Sequence, residues 1–194
     1  MARDLDDFLN EPYPRLPLTP EEGWTLDNLP FADLPTCTEL IRGVLVMSRQ
    51  TGWHAEVVSA LQTAIEEQCP PHYVTQYRMA IRKSPRTLPE PDFSIIHASA
   101  FDLNKIFYLP GDVAVVAEVV TPESEERDRE DKPSLYADMG IPVFWLVEPS
   151  EDGGPIVHEH LLAEGMYRLI RTHIGRLRTG IPFPIDIPLV ATTA

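Results

Sequence analysis

Cysteine is scarce in this sequence: Cys37 and Cys69 are the only two in 194 residues. They form no CxxC pair and fit no zinc-ligand spacing, so neither a disulfide framework nor a thiolate metal site organises the chain. Both are read as reduced and structural. No apolar run approaches the roughly 20 residues that a membrane helix needs. The opening MARDLDDFLNEPYPRL has no apolar core of the kind a secretory signal carries. The expectation is a cytoplasmic chain with no membrane partner. GxxxxGK[ST], GxGxxG and GxSxG are all missing, which leaves nucleotide-binding and serine-hydrolase readings without a motif. There is no internal repeat.

Basic charge is also in short supply. Thirty acids face 16 Lys and Arg, for a net charge of −14. Strong nonspecific binding to nucleic acid needs clustered basic groups that displace counterions, and the balance argues against it. It does not argue against a catalytic pocket that needs acids to hold a cation. Such a protein would use a confined basic surface, an oligomer that builds one, or a grip that is weak without metal.

What is present suits one domain of α+β class. Apolar residues make up 43% of the chain and charged residues 24%, enough for an ordinary core. Residues 1–36 hold many prolines and acids with little periodicity and read as an N-terminal arm, a surface strap. Within it, LTPEEGWTLDNLPF predicts one short helix beginning near Thr19. Residues 37–194 read as the folded domain. TELIRGVLVMS predicts a hairpin about Arg42-Gly43. HAEVVSALQTAIEEQ places Val57, Val58, Leu61 and Ile65 on one helical face, and Pro70-Pro71 stops that helix. Tyr73 to Arg82 has strand composition, Arg82 to Pro89 is a basic loop, and Pro91 to His97 is a strand. Asp112 to Val120 is nearly continuous Val and Ala, the pattern of a central strand covered on both faces. Glu125 to Met139 predicts a helix stopped by Gly140, and Val143 to Val147 another central strand. Ile156 to Leu162 and Met166 to Thr172 pair across AEG. The tail PFPIDIPLV adds an edge or a strap. The expected architecture is one mixed sheet flanked by helices, with peripheral hairpins.

Chemistry points to the middle of the chain. Glu118 lies inside VAVVAEVV, where an unpaired carboxylate is expensive to bury. It needs a partner or a metal, or else it is a strand-end acid facing water. Asp92 follows Pro89-Glu90-Pro91 at the start of FSII, either as a turn acid bonding backbone amides or as a ligand. Acids on adjacent central strands can hold Mg²⁺ through oxygens while leaving waters in place. Lys132 follows Asp128 at i,i+4 spacing, which suits a surface ion pair or a cation for a scissile phosphate. Tyr136 reads as a packing aromatic. Glu39 is a strand acid or an outer ligand, and His54 a helix-start or core-edge residue. Pro133 predicts an interruption, because proline removes the hydrogen bond to Arg129 and restricts the residue before it. The helix would start afresh at Pro133 with Lys132 at its boundary.

The ordered set PEPDFSII, VVAEVVTP, Asp128 with Lys132 four later, and LYADMGIPVFWLVEP resembles the Uma-type restriction endonuclease family, within the PD-(D/E)XK nuclease superfamily. The likeness runs from TELIRGVLVMS to the EGMYRL hairpin, roughly three quarters of the chain. It implies a restriction-endonuclease-like core, a divalent metal and phosphodiester hydrolysis. It implies Asp92 and Glu118 as metal carboxylates. The superfamily's usual lysine position, two after the Glu, falls on Val120; the Uma-type pattern moves the lysine to the following helix, where Lys132 matches. The family's hairpin Glu matches Glu39, and its histidine matches His54.

The expected activity is therefore a Mg²⁺- or Mn²⁺-dependent DNA endonuclease, with Arg82, Lys83 and Arg86 as the compact basic loop for backbone contact. A homodimer suits cutting of both strands. Two other readings stay open: a non-catalytic protein that uses the same fold for interaction or regulation, and a hydrolase of RNA or small phosphodiesters.

Overall fold

The computed structural model describes residues 20–29, 34 and 38–190. Most of the expected arm lies outside the described residues, as does Cys37. The described part of the arm, residues 20–29, contains turns rather than the helix the sequence predicts. Tertiary pairing wins over local propensity there. The Trp24 N–H bonds the Gly43 carbonyl at 2.8 Å, the Leu26 N–H bonds the Pro85 carbonyl at 2.7 Å, and the Trp24 ring packs with Leu40 and Leu88.

Strands β1 (Thr38–Ile41) and β2 (Val44–Met47) form the expected hairpin. Arg42 and Gly43 both take positive φ, 52° and 85°. That is the backbone a two-residue turn needs to match the twist of its strands. Helix α1 (Gly52–Glu66) begins where the Thr51 hydroxyl accepts the His54 N–H, and it buries Val57, Val58, Leu61 and Ile65. The strand-like stretch after it divides into β3 (Tyr73–Tyr77) and β4 (Ala80–Ile81), because Arg78 turns the chain at φ 48°. Next come β5 (Phe93–His97), the short β6 (Phe107–Tyr108) and β7 (Val113–Val119), the last buried along its whole length.

A wide π-helical turn, Arg127–Asp131, leads into helix α2 (Lys132–Asp138). This turn answers the question that Pro133 poses. Proline has no N–H for the Arg129 carbonyl, and the helix is widened just before it, where the Lys132 N–H bonds the Arg127 carbonyl. Lys132 keeps helical backbone at φ −66°, ψ −43° despite preceding a proline. The predicted break does not occur, although Lys132 does lie at a junction. Gly140 ends the helix at φ 75°. Strands β8 (Val143–Pro149), β9 (Pro155–Ala163) and β10 (Met166–Ile174) follow, then β11 (Arg176–Thr179) and β12 (Ile185–Pro188).

Six strands make the central mixed sheet, in the order β10-β9-β8-β7-β5-β3, in which only β7 and β8 run parallel. The expected mixed sheet with peripheral hairpins is what the fold shows: β1-β2, β4-β6 and β11-β12 are separate two-stranded pairs among the described residues. They serve as covers. One face of the sheet packs under α1 and the β11-β12 pair, through Phe93, Val115, Trp145, Leu177 and Ile185. The other packs under α2 and β4-β6, through Val116, Phe144, Tyr136, Ile81 and Tyr108. Coverage on both sides is why β7 and β8 carry unbroken apolar runs instead of alternation. No helix of the described residues is long and apolar enough to cross a membrane.

Candidate active site

Register brings the two central acids together. Phe93 pairs with Ala117 across β5 and β7, so Asp92 arrives beside Glu118 and Val119 at the end of both strands. The Val119 N–H donates to Asp92 Oδ2 at 2.8 Å. His54, on the first turn of α1, places Nε2 2.9 Å from the same oxygen. Gln50 Nε2 reaches Asp92 Oδ1 at 3.3 Å. His54 is thus drawn into the site by its own helix cap, which fixes where α1 begins.

Glu118 points to the α2 face of the sheet and is 1% exposed. Its Oε2 accepts from Lys132 Nζ at 2.9 Å, and its Oε1 accepts from the Tyr136 hydroxyl at 2.5 Å. Lys132 Nζ also lies 3.4 Å from Glu39 Oε1 and 3.6 Å from Asp128 Oδ1. Glu39 Oε1 accepts the Glu90 N–H at 2.7 Å, which ties the hairpin to the strand-start loop. One ammonium therefore serves three buried carboxylates, with a fourth nearby.

The electrostatics follow from that imbalance. Burial pushes the Glu118 carboxyl well up; Lys132 opposes this, while Asp92, Asp128 and Glu39 reinforce it. Asp128 is raised as well, chiefly by burial. Burial disfavours the Lys132 ammonium, but Glu118, Glu39, Asp128 and Asp92 outweigh it and hold the amine firmly protonated. Burial also works against the Asp92 charge. The hydrogen bond and charge of His54, the charge of Lys132 and the Val119 N–H prevail, so its carboxyl sits below the usual range. Glu118 and Asp128 hold on to protons chiefly because they are buried.

Of the residues expected from sequence, Asp92, Glu118, Lys132, Glu39 and His54 meet in one cleft. The basic loop does not join them. Arg82 stacks over the Phe107 ring at 5.3 Å, Lys83 pairs with Asp138 at 3.1 Å, and Arg86 donates to the Glu22 carbonyl between Gly23 and Gly43. Different cations line the cleft, Arg49 and Arg78 among them. Arg78 carries the left-handed backbone between β3 and β4. Its N–H bonds the Asp92 carbonyl at 3.3 Å and its Nε reaches Glu90 at 3.4 Å. Nothing in the strand-like composition around Arg78 signals that bend. Tyr136 is the other omission: it packs, as expected, and also bonds the central acid. Its spacing four residues after Lys132, on the same helical face, was the available signal.

The polar cleft has free space of only about 20 Å³, room for one water-sized group. Among the described residues, no three His, Cys, Asp or Glu side chains converge as a ready-made metal cage. A hard divalent cation needs no such cage. Mg²⁺ is commonly held by one or two carboxylates, with waters and substrate phosphate completing the shell. Asp92, at the start of β5, and Glu118 on β7 carry oxygen donors of the kind such an ion takes, each already hydrogen-bonded within the chain. The donor set fits.

The comparisons with known proteins agree with this architecture. A crystal structure of "a putative nuclease belonging to DUF820 from Anabaena variabilis ATCC 29413" is similar with a TM-score of 0.56 and 16% sequence identity, covering 77% of this chain and 82% of that one. At that identity the likeness speaks for the fold, which is restriction-endonuclease-like. No curated protein matches the chain. The family model Uma2, described as "Putative restriction endonuclease", matches residues 28–183. With a match of that extent, the chain belongs to the Uma2 family.

Proposed function

We propose that this protein is a metal-dependent endonuclease that hydrolyses DNA phosphodiester bonds at the Asp92–Glu118–Lys132 cleft. The observation that carries the proposal is a buried lysine bonded to a buried strand glutamate at 2.9 Å, beside a second strand-borne acid. A surface ion pair needs no such burial; Lys132 is 8% exposed. Placing a charged amine there costs stability that a scaffold alone has no reason to accept.

Asp92 and Glu118 would hold the ion. When bound, a divalent cation polarises a phosphoryl oxygen and makes a water more acidic. The chain's own residues do the rest. Lys132 stays protonated, so it donates hydrogen bonds and cannot act as a base. It orients the attacking water and offsets charge on the phosphoryl oxygens as one P–O bond forms and the opposite one breaks. Tyr136 fixes the orientation of Glu118, and His54 with the Val119 N–H fixes Asp92. Glu39 anchors to the Glu90 N–H and steers Lys132 from the hairpin side.

One observation favours the non-catalytic reading: both oxygens of Glu118 already have partners. Metal titration separates the two. An endonuclease should melt at a higher temperature as Mn²⁺ is added, and Glu118→Gln should lose that rise. A wild-type melting temperature indifferent to Mn²⁺ and Mg²⁺ would move the assignment to the non-catalytic reading.

A further inference from the structure

Next to the polar cleft lies a hollow of about 220 Å³ between the β1–β2 hairpin and α2. It is smaller than the roughly 300–1,000 Å³ of pockets that take drug-sized ligands, and larger than a water or an ion needs. The hairpin has two faces, set by strand alternation. Leu40 and Leu45 pack toward Trp24 and Leu88, while Ile41, Val44 and Val46 line the hollow opposite Leu135 of α2. Val44 is 59% exposed, so among the described residues this end of the apolar wall is open.

The hollow shares Glu39 and Lys132 with the cleft, so whatever fills it lies against the catalytic ammonium. Polar groups stand at its edges. Arg127 donates through Nη2 to Ser48 at 2.9 Å, and its Nε is buried with no hydrogen bond. An unspent buried donor calls for a partner. Asp131, exposed at the mouth, is an acceptor. Apolar walls for a flat ring, Arg127 and Asp131 in the lining for its edge, and the Lys132 cation in the same lining for an attached phosphate together suit a nucleotide.

We infer that this hollow receives the unstacked base of the nucleotide next to the scissile phosphate, so that the substrate is single-stranded or locally unpaired DNA rather than intact duplex. The inference rests on the nuclease reading of the adjacent cleft. A base inside a duplex is stacked and paired and cannot enter a side hollow without being extruded, at a cost that is smallest where pairing is already lost. The charge balance points the same way. A net charge of −14 gives little hold on a long duplex backbone, and Lys83 and Arg86 are engaged within the chain. Recognition through one base and one phosphate needs no extended basic track.

The test is a binding ratio measured with a chelator present, so that cleavage does not intrude. Fluorescence anisotropy would compare a labelled single-stranded oligonucleotide, the same strand in a perfect duplex, and a duplex with one unpaired nucleotide. Wild type should bind the single strand and the unpaired site at least about tenfold more tightly than the perfect duplex. Val44→Trp, which fills the hollow from an exposed position, should bring that ratio close to one. Met166→Trp, an exposed apolar position on β10, should leave it intact. Equal affinity for all three DNAs, no binding to any, or a preference that survives Val44→Trp would overturn the inference. Cleavage of the same three DNAs with Mn²⁺ tests the nuclease reading separately, since cutting of all three alike, lost in Asp92→Ala, would keep the nuclease and discard the base pocket.

Discussion

Lys132 Nζ lies 2.9 Å from Glu118 Oε2, although 14 positions and a change of helix type separate the two residues. Between them lies the wide turn at Arg127–Asp131, after which the chain continues as helix through Pro133. The proline that reads as an obstacle leaves Lys132 in helical backbone and within reach of Glu118.

Removing that lysine should expose how the cluster is balanced. Lys132→Met leaves Glu39, Glu118 and Asp128 buried with no cation among them, and breaking a buried pair in this way costs about 3–5 kcal/mol. Urea denaturation in a chelator should register a loss of that order. Added Mn²⁺ should recover part of it. A variant as stable as wild type without metal would contradict the charge imbalance described for the cleft.

Tyr136→Phe removes the donor to Glu118 Oε1 and leaves a buried carboxylate oxygen unsatisfied. The expected cost is about 1–3 kcal/mol in chemical denaturation, accompanied by slower cleavage, because the acid is no longer held in one orientation. Unchanged stability and rate would return Tyr136 to the plain packing role that its sequence context suggests.

The fold was legible where hydrophobic period and turn chemistry coincide. The α1 face, the turn at Arg42-Gly43 and the unbroken run of β7 are local signals that packing then preserves. Legibility failed where a partner distant in sequence decides the outcome. Residues 20–29 have the composition of a helix start, yet their backbone bonds to Gly43 and Pro85. The side chains of the basic loop turn to Phe107, Asp138 and Glu22, partners that its local composition does not reveal. The acids that gather in the candidate site stand out in the sequence, because a carboxylate in or beside an apolar strand is conspicuous. Tyr136 and Arg78 were not, since an aromatic on an amphipathic helix and an arginine in a strand-like stretch carry no such contrast.

The pH dependence of stability has a definite sign. Glu118 has a folded-state pKa raised above its ordinary value of 4.5. The folded protein therefore binds more protons than the unfolded chain above that pH, and stability falls as pH rises through the raised value. Asp92 acts oppositely, because its pKa is lowered from 3.8: its contribution is present above that pH and is lost on further acidification. In a chelator, the stability of wild type relative to Glu118→Gln should decline from about pH 4.5 upward. Melting temperatures of both proteins across this range check it, and a constant difference would contradict it.

His54 holds the Asp92 charge in place, so its loss should shift the acid limb of activity. In His54→Ala the Asp92 carboxyl loses the hydrogen bond and charge that lower its pKa, and cleavage that needs ionised Asp92 should fall off at a higher pH than in wild type. The pH–rate profile of kcat/KM reads the shift directly. An unmoved acid limb would place His54 in a structural role alone.

The most direct test is cleavage of supercoiled plasmid and single-stranded DNA with Mn²⁺ by wild type, Asp92→Ala and Lys132→Ala, each verified as folded by circular dichroism. Wild type should cut, and both variants should lose that cutting. Cutting by Asp92→Ala at the wild-type rate would contradict the assigned site, and no cutting by folded wild type, together with no Mn²⁺-induced rise in melting temperature, would contradict the nuclease itself.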